Sequence, residues 1–365
     1  MEKNPFALNF GKLPSQYIGR DIIIEEIEQE LTAEYPQNQC FMLTGTRGAG
    51  KTVTMTAIER RISENKNWII VRLNPTRNML ESLTAKLYDS GEFLTKFIDK
   101  SLNLSKFGIG LDLAANPPVA DIESALEKIL KEIKRQGRRL LVTVDEVSNS
   151  QYMREFASCF QILLREDLPV FLIMAGLYNN IHALEDEKDL TFLYRTPRYE
   201  MEPLNLTLIS DRYMRVFGIS QEKAMDMAIM TKGYPFAYQA LGKYVWEDKT
   251  HEMNTVVLAK VDDALSHYVY RKIWSELSPK DKWYMSYIVT KDSMSTAELL
   301  EMTKQKKNEF SQYRVRLRDK GLINVSNRGI IQYTLPRFDV FVKNNDAYNQ
   351  VVTSLPSSTS NSYQG

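Results

Sequence analysis

Compact apolar runs alternate with amphipathic stretches along the N-terminal part of the chain. The runs are short and rich in apolar and β-branched residues, which is typical of buried strands. Strands are predicted at residues 40–44, 68–73, 140–144, 169–176 and 199–204. Apolar residues with helical spacing lie between them, at residues 23–31, 53–62, 79–88 and 121–135. Strands that alternate with helices need crossover connections, so the pattern predicts an α/β fold with a parallel sheet flanked by helices.

The pattern changes to mainly helical after residue 204. Helices are predicted at residues 206–217 and 221–231, and another begins at Pro235. Three short helices and a hairpin follow from residue 277, and this unit resembles a winged helix-turn-helix. An inserted hairpin strand is also predicted at residues 108–113, ended by Asn116-Pro117-Pro118. We therefore expect a core at residues 1–204, a helical unit at 205–272, the winged-helix-like unit at 273–345 and a disordered tail at 346–365.

Composition narrows the class of protein only modestly. The apolar fraction of 43% is sufficient for buried cores, and the net charge of +1 gives no overall electrostatic attraction to nucleic acid. The two cysteines have no metal-ligand spacing, which fits a reducing compartment. The N-terminus lacks a leader pattern, and no apolar run approaches the ~20 residues that span a bilayer. We therefore expect a cytoplasmic protein without a membrane partner.

A glycine-rich segment joins the first predicted strand to the helix after it. Its glycines allow positive φ, so that several N–H groups approach phosphate oxygens at the positive end of a helix dipole. Lys51 would place a positive charge at the β- and γ-phosphates, and Thr52 would offer a hydroxyl to Mg²⁺. This is the Walker A pattern, and it predicts a nucleotide site formed by Gly45, Thr46, Arg47, Gly48, Ala49, Gly50, Lys51, Thr52 and Val53.

Two carboxylates follow the apolar run at residues 140–144. A buried parallel strand would deliver Asp145 and Glu146 to its carboxyl edge, where ligands bind in open α/β sheets. Asp145 is expected to hold Mg²⁺ with Thr52, and Glu146 to orient and deprotonate the attacking water. A solvated strand end is the alternative, which the Walker A pattern upstream makes less favourable. At the end of the next strand, Asn179 and Asn180 are candidates either for the γ-phosphate or for a helix N-cap.

Together these residues resemble the AAA+ branch of P-loop ATPases. The similarity is to the group containing the archaeal and eukaryal origin-recognition and replication-licensing ATPases and related archaeal-type ATPases, and it extends over about residues 10–345. The segments that carry it are Tyr17-Ile18-Gly19-Arg20, the Walker A loop, Leu140 to Glu146, and Gly233-Tyr234-Pro235. The resemblance implies that Tyr17 and Ile18 cover the adenine, that residues 205–272 form a lid, and that Pro235 approaches the base and ribose.

The resemblance also implies an arginine finger that acts on the nucleotide of a neighbouring subunit. Arg195 occupies the corresponding position before the last strand, and Arg198 is the rival. Either guanidinium would neutralise charge at the γ-phosphate, although a surface salt bridge is the simpler role for each. Two departures argue against a fast motor, because Phe236 replaces the lid arginine and Ala175 replaces the polar residue of the fourth strand.

The last helix before the hairpin has the pattern of a DNA-reading helix. Projection at 100° per residue buries Phe310, Tyr313 and Leu317 and turns polar residues outward. Residues 275–343 hold 13 Lys and Arg against 8 Asp and Glu, so positive charge is local to this unit. Amides would read base edges and guanidiniums would contact phosphates, although a protein partner is the alternative. The predicted double-stranded DNA contacts are Gln312, Arg314, Arg316, Arg318 and Arg328.

These features favour an ATP-hydrolysing AAA+ protein with ATP and Mg²⁺ as its ligands. Its nucleotide state would control homo-oligomerisation and action on DNA or on a DNA-bound partner. One alternative is a slow ATP-gated signalling switch, in which nucleotide holds a folded-back state and turnover is incidental. A transcription regulator in which Glu146 is vestigial is the other. Adenine is preferred to guanine by the resemblance and by the lack of an Asn/Thr-Lys-x-Asp motif.

Overall fold

The computed structural model describes residues 3–8, 11, 13–89 and 119–345 of the chain. The hairpin strand predicted at residues 108–113, the Asn116-Pro117-Pro118 break and the predicted disordered tail at 346–365 lie outside these residues. No helix within the described ranges combines the length and apolar composition needed to cross a bilayer.

A parallel sheet of five strands forms the centre of the N-terminal part, in the order β2-β3-β4-β1-β5. Its strands are β1 (Cys40–Thr44), β2 (Trp68–Leu73), β3 (Arg139–Val147), β4 (Val170–Gly176) and β5 (Arg198–Glu200). The helices between them are α1 (Asp21–Thr32), α2 (Lys51–Ser63), α3 (Met79–Asp89), α4 (Val119–Arg135), α5 (Gln151–Arg165) and α6 (Tyr178–Glu185). The predicted α/β fold with a parallel sheet is confirmed.

Alternate residues of the strands pack into two separate apolar layers, because successive side chains of a strand point to opposite faces. Phe41 and Leu43 of β1 join the layer formed with α1 and α2. Cys40 and Met42 join the layer formed with α3, α4 and α5. The sheet is thus covered on both faces, which explains why its central strands are continuous apolar runs.

Strand β3 continues further than its apolar run predicted. It was expected to end before Asp145, yet it extends to Val147 and its pairing with β4 shifts register between Val144 and Val147. The extra residue of this bulge is accommodated by Glu146, whose φ is +56°. Asp145 and Glu146 therefore lie within an irregular strand end, and the bulge points their two side chains in different directions.

The lid consists of α7 (Leu206–Phe217), α8 (Gln221–Met230), α9 (Pro235–Glu247) and α10 (Thr255–Leu265). Side chains of Asn205, Ser220 and Asn254 cap three of these helices, as short polar residues at N-caps commonly do.

Residues 3–8 pack on this lid rather than on the sheet. The Phe6 ring centroid lies 5.7 Å from that of Phe217 and 5.7 Å from that of Tyr238. A Cβ at Gly242 would lie 2.5 Å from the Phe6 ring, so glycine is required at that position of α9. Residues 3–8 were expected to belong to the core at 1–204, and their packing instead assigns them to the lid.

One helix crosses the expected boundary at residue 272. Helix α10 continues through a π-helical turn, Ser266–Tyr270, into α11 (Arg271–Ser275). Buried residues of the lid and of the C-terminal unit form one continuous apolar cluster. Because the two units share a helix and a core, they pack as one body.

The C-terminal unit contains α12 (Pro279–Ile288), β6 (Ser293–Ser295), α13 (Thr296–Thr303), α14 (Lys307–Asp319), β7 (Ile323–Asn324), β8 (Ile330–Tyr333) and α15 (Phe338–Lys343). The predicted N-caps Ser278 and Ser295 are present, and Ser278 forms a capping box with Asp281. Strand β6 was not predicted, because it is three residues long, and it completes an antiparallel sheet of order β6-β8-β7. The winged-helix assignment of this unit stays a prediction.

Replacing Phe6 with Ala is expected to destabilise the lid by about 3 kcal/mol, because the lost ring leaves a cavity among packed aromatic side chains. Chemical denaturation followed by circular dichroism measures the change. Leu208→Ala serves as the control, since Leu208 lies in the same lid and is 51% exposed. Equal effects of the two substitutions would contradict a core role for Phe6.

Candidate nucleotide site

The glycine-rich loop has the backbone that its composition predicted. Gly48 and Gly50 have φ values of +73° and +93°, in the region that favours glycine. Helix α2 begins at Lys51 with Gly50 as its N-cap, and no side chain caps it. Its first N–H groups are therefore available to an anion at the positive end of the helix.

Lys51 is held inside this loop by the backbone. Its Nζ donates hydrogen bonds to the carbonyl oxygens of Gly45 at 2.8 Å and Thr46 at 2.7 Å. Burial lowers the pKa of Lys51 to about 8, and the neighbouring Asp145 carboxylate opposes this shift. The ammonium group is thus desolvated with neutral carbonyl oxygens as its hydrogen-bond partners, and charged phosphate oxygens would compensate its burial better.

Asp145 reaches the loop from a distant strand. The Thr52 Oγ1 donates a hydrogen bond of 2.5 Å to Asp145 Oδ2. Strand β4 lies between β1 and β3, so the two strand ends that carry the loop and the carboxylate flank the same neighbour. The hydroxyl and the carboxylate predicted to bind one metal ion therefore meet at one edge of the sheet.

These two side chains fit the requirements of Mg²⁺. Within the described ranges, no group of three or more His, Cys, Asp and Glu side chains could hold a metal ion. Mg²⁺ commonly binds through one or two protein oxygens and the phosphates of a substrate, so Thr52 and Asp145 form a suitable donor set.

Glu146 has an unusual backbone and an exposed side chain. Its backbone N–H donates to Asp145 Oδ1 at 2.8 Å, and its side chain is 69% exposed. A φ of +56° is uncommon for a residue other than glycine and costs of order 1 kcal/mol. The Arg47 Nη1 lies 3.9 Å from Glu146 Oε1, so the candidate base is near a cation of the loop.

A cavity of about 430 Å³ extends from the loop toward the N-terminal segment and the lid. This volume is within the range of small-ligand pockets. The predicted residues that line it are Tyr17, Ile18, Arg47, Gly48, Ala49, Gly50, Lys51, Thr52, Val53, Asp145, Glu146 and Pro235. Gly45 and Thr46 instead line a neighbouring cleft beside the C-terminal unit.

Several lining residues were missed as ligand contacts by the sequence analysis. Phe236, Gln239 and Tyr268 reach the cavity from the lid and the helix after it, where no sequence motif marks a ligand contact. Asn180 also lines the cavity. Its alternative role as an N-cap is not realised, because Leu177 is the N-cap of α6 and no side chain caps that helix.

Arg20 supports the loop from the N-terminal segment. Its Nη2 donates a hydrogen bond of 3.0 Å to the Ala49 carbonyl oxygen. Burial lowers the pKa of Arg20, and the Glu202 carboxylate opposes the shift. This contact holds Tyr17 and Ile18 against the same cavity as the loop.

The tip of the loop also contacts the lid and the C-terminal unit. The Tyr234 hydroxyl of the lid donates a hydrogen bond to the Arg47 carbonyl oxygen. The Arg47 Nη2 lies 2.9 Å from Glu276 Oε1, at the start of the C-terminal unit. A Cβ at Gly321 would lie 2.3 Å from the Thr46 side chain, so the unit rests directly on the loop.

The two candidate finger residues have different surroundings. Arg198 forms an ion pair with Glu185, whose side chain is 3% exposed, and its guanidinium lies 5.8 Å from the Tyr178 ring centroid. Arg198 therefore has a structural partner within its own chain. Arg195 is exposed at the end of a short 3₁₀ helix, outside the lining of the cavity, and its role as an arginine finger stays a prediction.

The residues predicted to contact DNA also differ in whether they have a partner within their own chain. Arg316 is not free for phosphates as expected, because its Nε and Nη2 donate to Asp281 Oδ1 at 2.9 Å and 2.6 Å. Arg318 pairs with Asp319 and lines the cleft beside the loop. Gln312 and Arg328 are exposed and Arg314 is partly exposed, so these three residues are accessible, and their contact with DNA stays a prediction.

Comparison with known proteins agrees with the fold and the loop. Residues 20–165 match the KAP family P-loop domain, and residues 267–342 match a domain of unknown function, DUF8462. No curated protein matches the chain.

Solved structures similar to this chain include origin-recognition proteins. The Aeropyrum pernix ORC2 protein in ADPNP–ADP complexes has a TM-score of 0.55 at 13% identity, over 95% of this chain and 98% of that chain. Cdc6p from Pyrobaculum aerophilum has a TM-score of 0.48 at 12% identity, over 95% and 98% of the respective chains. The fold is therefore similar to that of the Aeropyrum pernix ORC2 protein, which agrees with the fold that the sequence resemblance implied.

Arg198→Ala is expected to lower the free energy of unfolding by about 3 kcal/mol, because it leaves the buried Glu185 carboxylate without its partner. Arg195→Ala should change the free energy by less than about 0.5 kcal/mol, since its side chain is exposed. Urea denaturation of both variants measures the difference. A destabilised Arg195→Ala protein with an unaffected Arg198→Ala protein would contradict this assignment.

Proposed function

We propose that this protein binds and hydrolyses ATP, and that its nucleotide state controls its association and its action on DNA or on a DNA-bound partner. The observation that carries the proposal is the hydrogen bond between Thr52 and Asp145. It joins a helix N-terminus suited to phosphate with a carboxylate suited to Mg²⁺. A glycine-rich loop of purely structural use would not require that pairing.

The residues around the loop have complementary roles in phosphoryl transfer. Lys51 leaves its carbonyl partners to neutralise the β- and γ-phosphates, and the N–H groups of the loop hold the same oxygens. Thr52 and Asp145 would hold Mg²⁺, which would supply charge neutralisation when bound. Glu146 orients the attacking water and accepts its proton. Asn180, which lines the cavity near Gly176, is a second polar group that could position this water.

The remainder of the cavity suits an adenine nucleotide. Ile18, Pro235 and Phe236 add apolar surface to the lining of the cavity, and apolar surface accommodates a base better than further phosphates. Hydrolysis at a subunit interface would recruit Arg195 from a neighbouring copy. The ATP state would then favour a homo-oligomer.

DNA is the partner that we propose for the C-terminal unit, acting as a winged helix. Gln312 on α14 would read base edges, while Arg314 and Arg328 would contact phosphates. Arg316 is excluded from this role by its ion pair with Asp281. The basic excess of residues 275–343 supports such contacts only locally, because the whole chain has a net charge of +1.

Lys51→Ala is expected to weaken ATP binding by at least about tenfold, because charge-assisted contacts to phosphate contribute roughly 1.5–3 kcal/mol. Glu146→Gln is expected to keep ATP binding and to lower turnover by about 10²-fold or more. Isothermal titration calorimetry and a phosphate-release assay measure the two effects. Lys51→Ala protein that bound ATP as tightly as wild type would refute the proposal.

The same phosphate-release assay, run with and without duplex DNA, distinguishes stimulation by DNA from basal ATP hydrolysis. DNA should stimulate turnover of the wild type, and the double variant Arg314→Ala, Arg328→Ala should lose this stimulation without loss of basal turnover. Unchanged turnover in Glu146→Gln would instead support the regulator with a vestigial Glu146.

A slow ATP-gated switch is a second candidate, and the contact between Arg47 and Glu276 favours it. The contact ties the phosphate loop to the C-terminal unit at 2.9 Å, while the same guanidinium lies 3.9 Å from Glu146. In such a switch, a triphosphate would attract Arg47 away from Glu276 and would release the C-terminal unit. Nucleotide that co-purifies with the wild type and little steady turnover would support this function.

Glu276→Gln is expected to raise the fraction of released protein about fivefold, the effect of losing a partly exposed ion pair worth ~1 kcal/mol. Limited proteolysis with and without ATP measures release, read as cleavage between the loop-bearing core and the C-terminal unit. Glu252→Gln is the matched control, because Glu252 pairs with Lys223 at 2.8 Å far from the loop. Identical cleavage of both variants and of the wild type would exclude the switch.

A further inference from the structure

A π-helical turn interrupts the helix that joins the lid to the C-terminal unit. The turn spans Ser266–Tyr270, between α-helical residues on either side. Single π-helical turns are rare, weaken the regular hydrogen-bond ladder and are frequent at functional sites. Its position is notable because Tyr268 and Val269, both in this turn, line the candidate nucleotide cavity.

Tyr268 is the exposed member of the turn. Its residue surface is 60% exposed, whereas Val269 and Tyr270 are buried. The Tyr268 ring centroid lies 6.0 Å from that of Phe236 and 4.9 Å from that of His267. Tyr268 is therefore not part of an apolar core, and core packing does not explain why this position holds an aromatic residue.

The chemistry of the cavity indicates what would cover this ring. The phosphate end is defined by Lys51 and Thr52, where charge and hydrogen-bond donors are concentrated. The rest of the lining combines polar side chains, such as Arg20 and Gln239, with apolar and aromatic ones that include Leu8, Pro14 and Phe236. A flat group with a π face is the ligand class that gains most from an exposed aromatic ring in such a slot.

We propose that Tyr268 is a base-binding residue, whose ring stacks on the nucleobase of the nucleotide in this cavity. The inference rests on the proposed function, since it requires a nucleotide at the loop. It adds a contact from the helix between the lid and the C-terminal unit to those of the N-terminal segment. Phe236 lies beside Tyr268 and supports the same face of the slot.

Through this helical turn, the proposed stacking contact would also connect the base to the apolar core of the C-terminal unit. Tyr270, two residues after Tyr268, donates its hydroxyl to the Pro336 carbonyl oxygen and packs with its ring centroid 5.0 Å from that of Phe338. The base and the C-terminal core therefore contact opposite sides of one helical turn.

ATP affinity of a series of Tyr268 variants, measured by titration calorimetry, tests the proposal. Tyr268→Ala should bind ATP about tenfold more weakly than wild type, because an aromatic–base stack is lost. Tyr268→Phe should stay within about twofold of wild type, since the phenyl ring stacks as well. Tyr268→Leu should resemble Tyr268→Ala, which separates stacking from a merely apolar wall. Tyr35→Ala, at a tyrosine that is 84% exposed, is the control and should bind as wild type does.

Two results would overturn the inference while leaving the proposed function intact. One is a Tyr268→Ala protein that binds ATP as tightly as wild type. The other is a Tyr268→Leu protein that binds as tightly as Tyr268→Phe. Wild-type protein that bound no ATP would remove the proposed function and this inference together. Because Tyr268 is exposed, its variants should keep the thermal midpoint of wild type, and this comparison accompanies each titration.

Discussion

The site depends on one hydrogen bond, from the Thr52 hydroxyl to the Asp145 carboxylate, between residues 93 positions apart in the chain. Neither side chain alone could hold a hard cation against water, whereas the pair forms part of an oxygen shell that phosphates can complete. Strand β4 makes the pairing possible, because it separates the two strands and sets the distance between their ends. The buried apolar layers on both faces of the sheet then keep that spacing constant.

The phosphate loop is also where three parts of the molecule meet. The N-terminal segment contacts it through Arg20, the lid through Tyr234, and the C-terminal unit through Glu276. The last two contacts converge on Arg47, and each uses a different part of that residue. Both contacts are direct, so no intermediate layer separates the loop from the lid or from the C-terminal unit.

The sequence predicted what depends on local pattern. The strand periodicity, the glycines of the loop, and the caps Ser278 and Ser295 each depend on neighbours within a few positions. Long-range partners could not be predicted in this way. Arg316 was projected toward DNA, but Asp281, 35 positions earlier, binds it, and Phe6 packs on a lid more than two hundred positions away. The π-helical turn that brings Tyr268 to the cavity has no motif, because its cause is the packing around it.

The helical segment from Thr255 to Ser275, with its π-helical turn at Ser266–Tyr270, connects the lid to the C-terminal unit. At a rise of 1.5 Å per residue it is about 30 Å long, and a tilt of about 5° at one end moves the other by roughly 3 Å. Because both of its ends are embedded in a common core, bending is opposed, and a tilt would carry the lid and the C-terminal unit together. A tilt of a few degrees beside the cavity would thus become a displacement of a few ångströms at the far end of this segment.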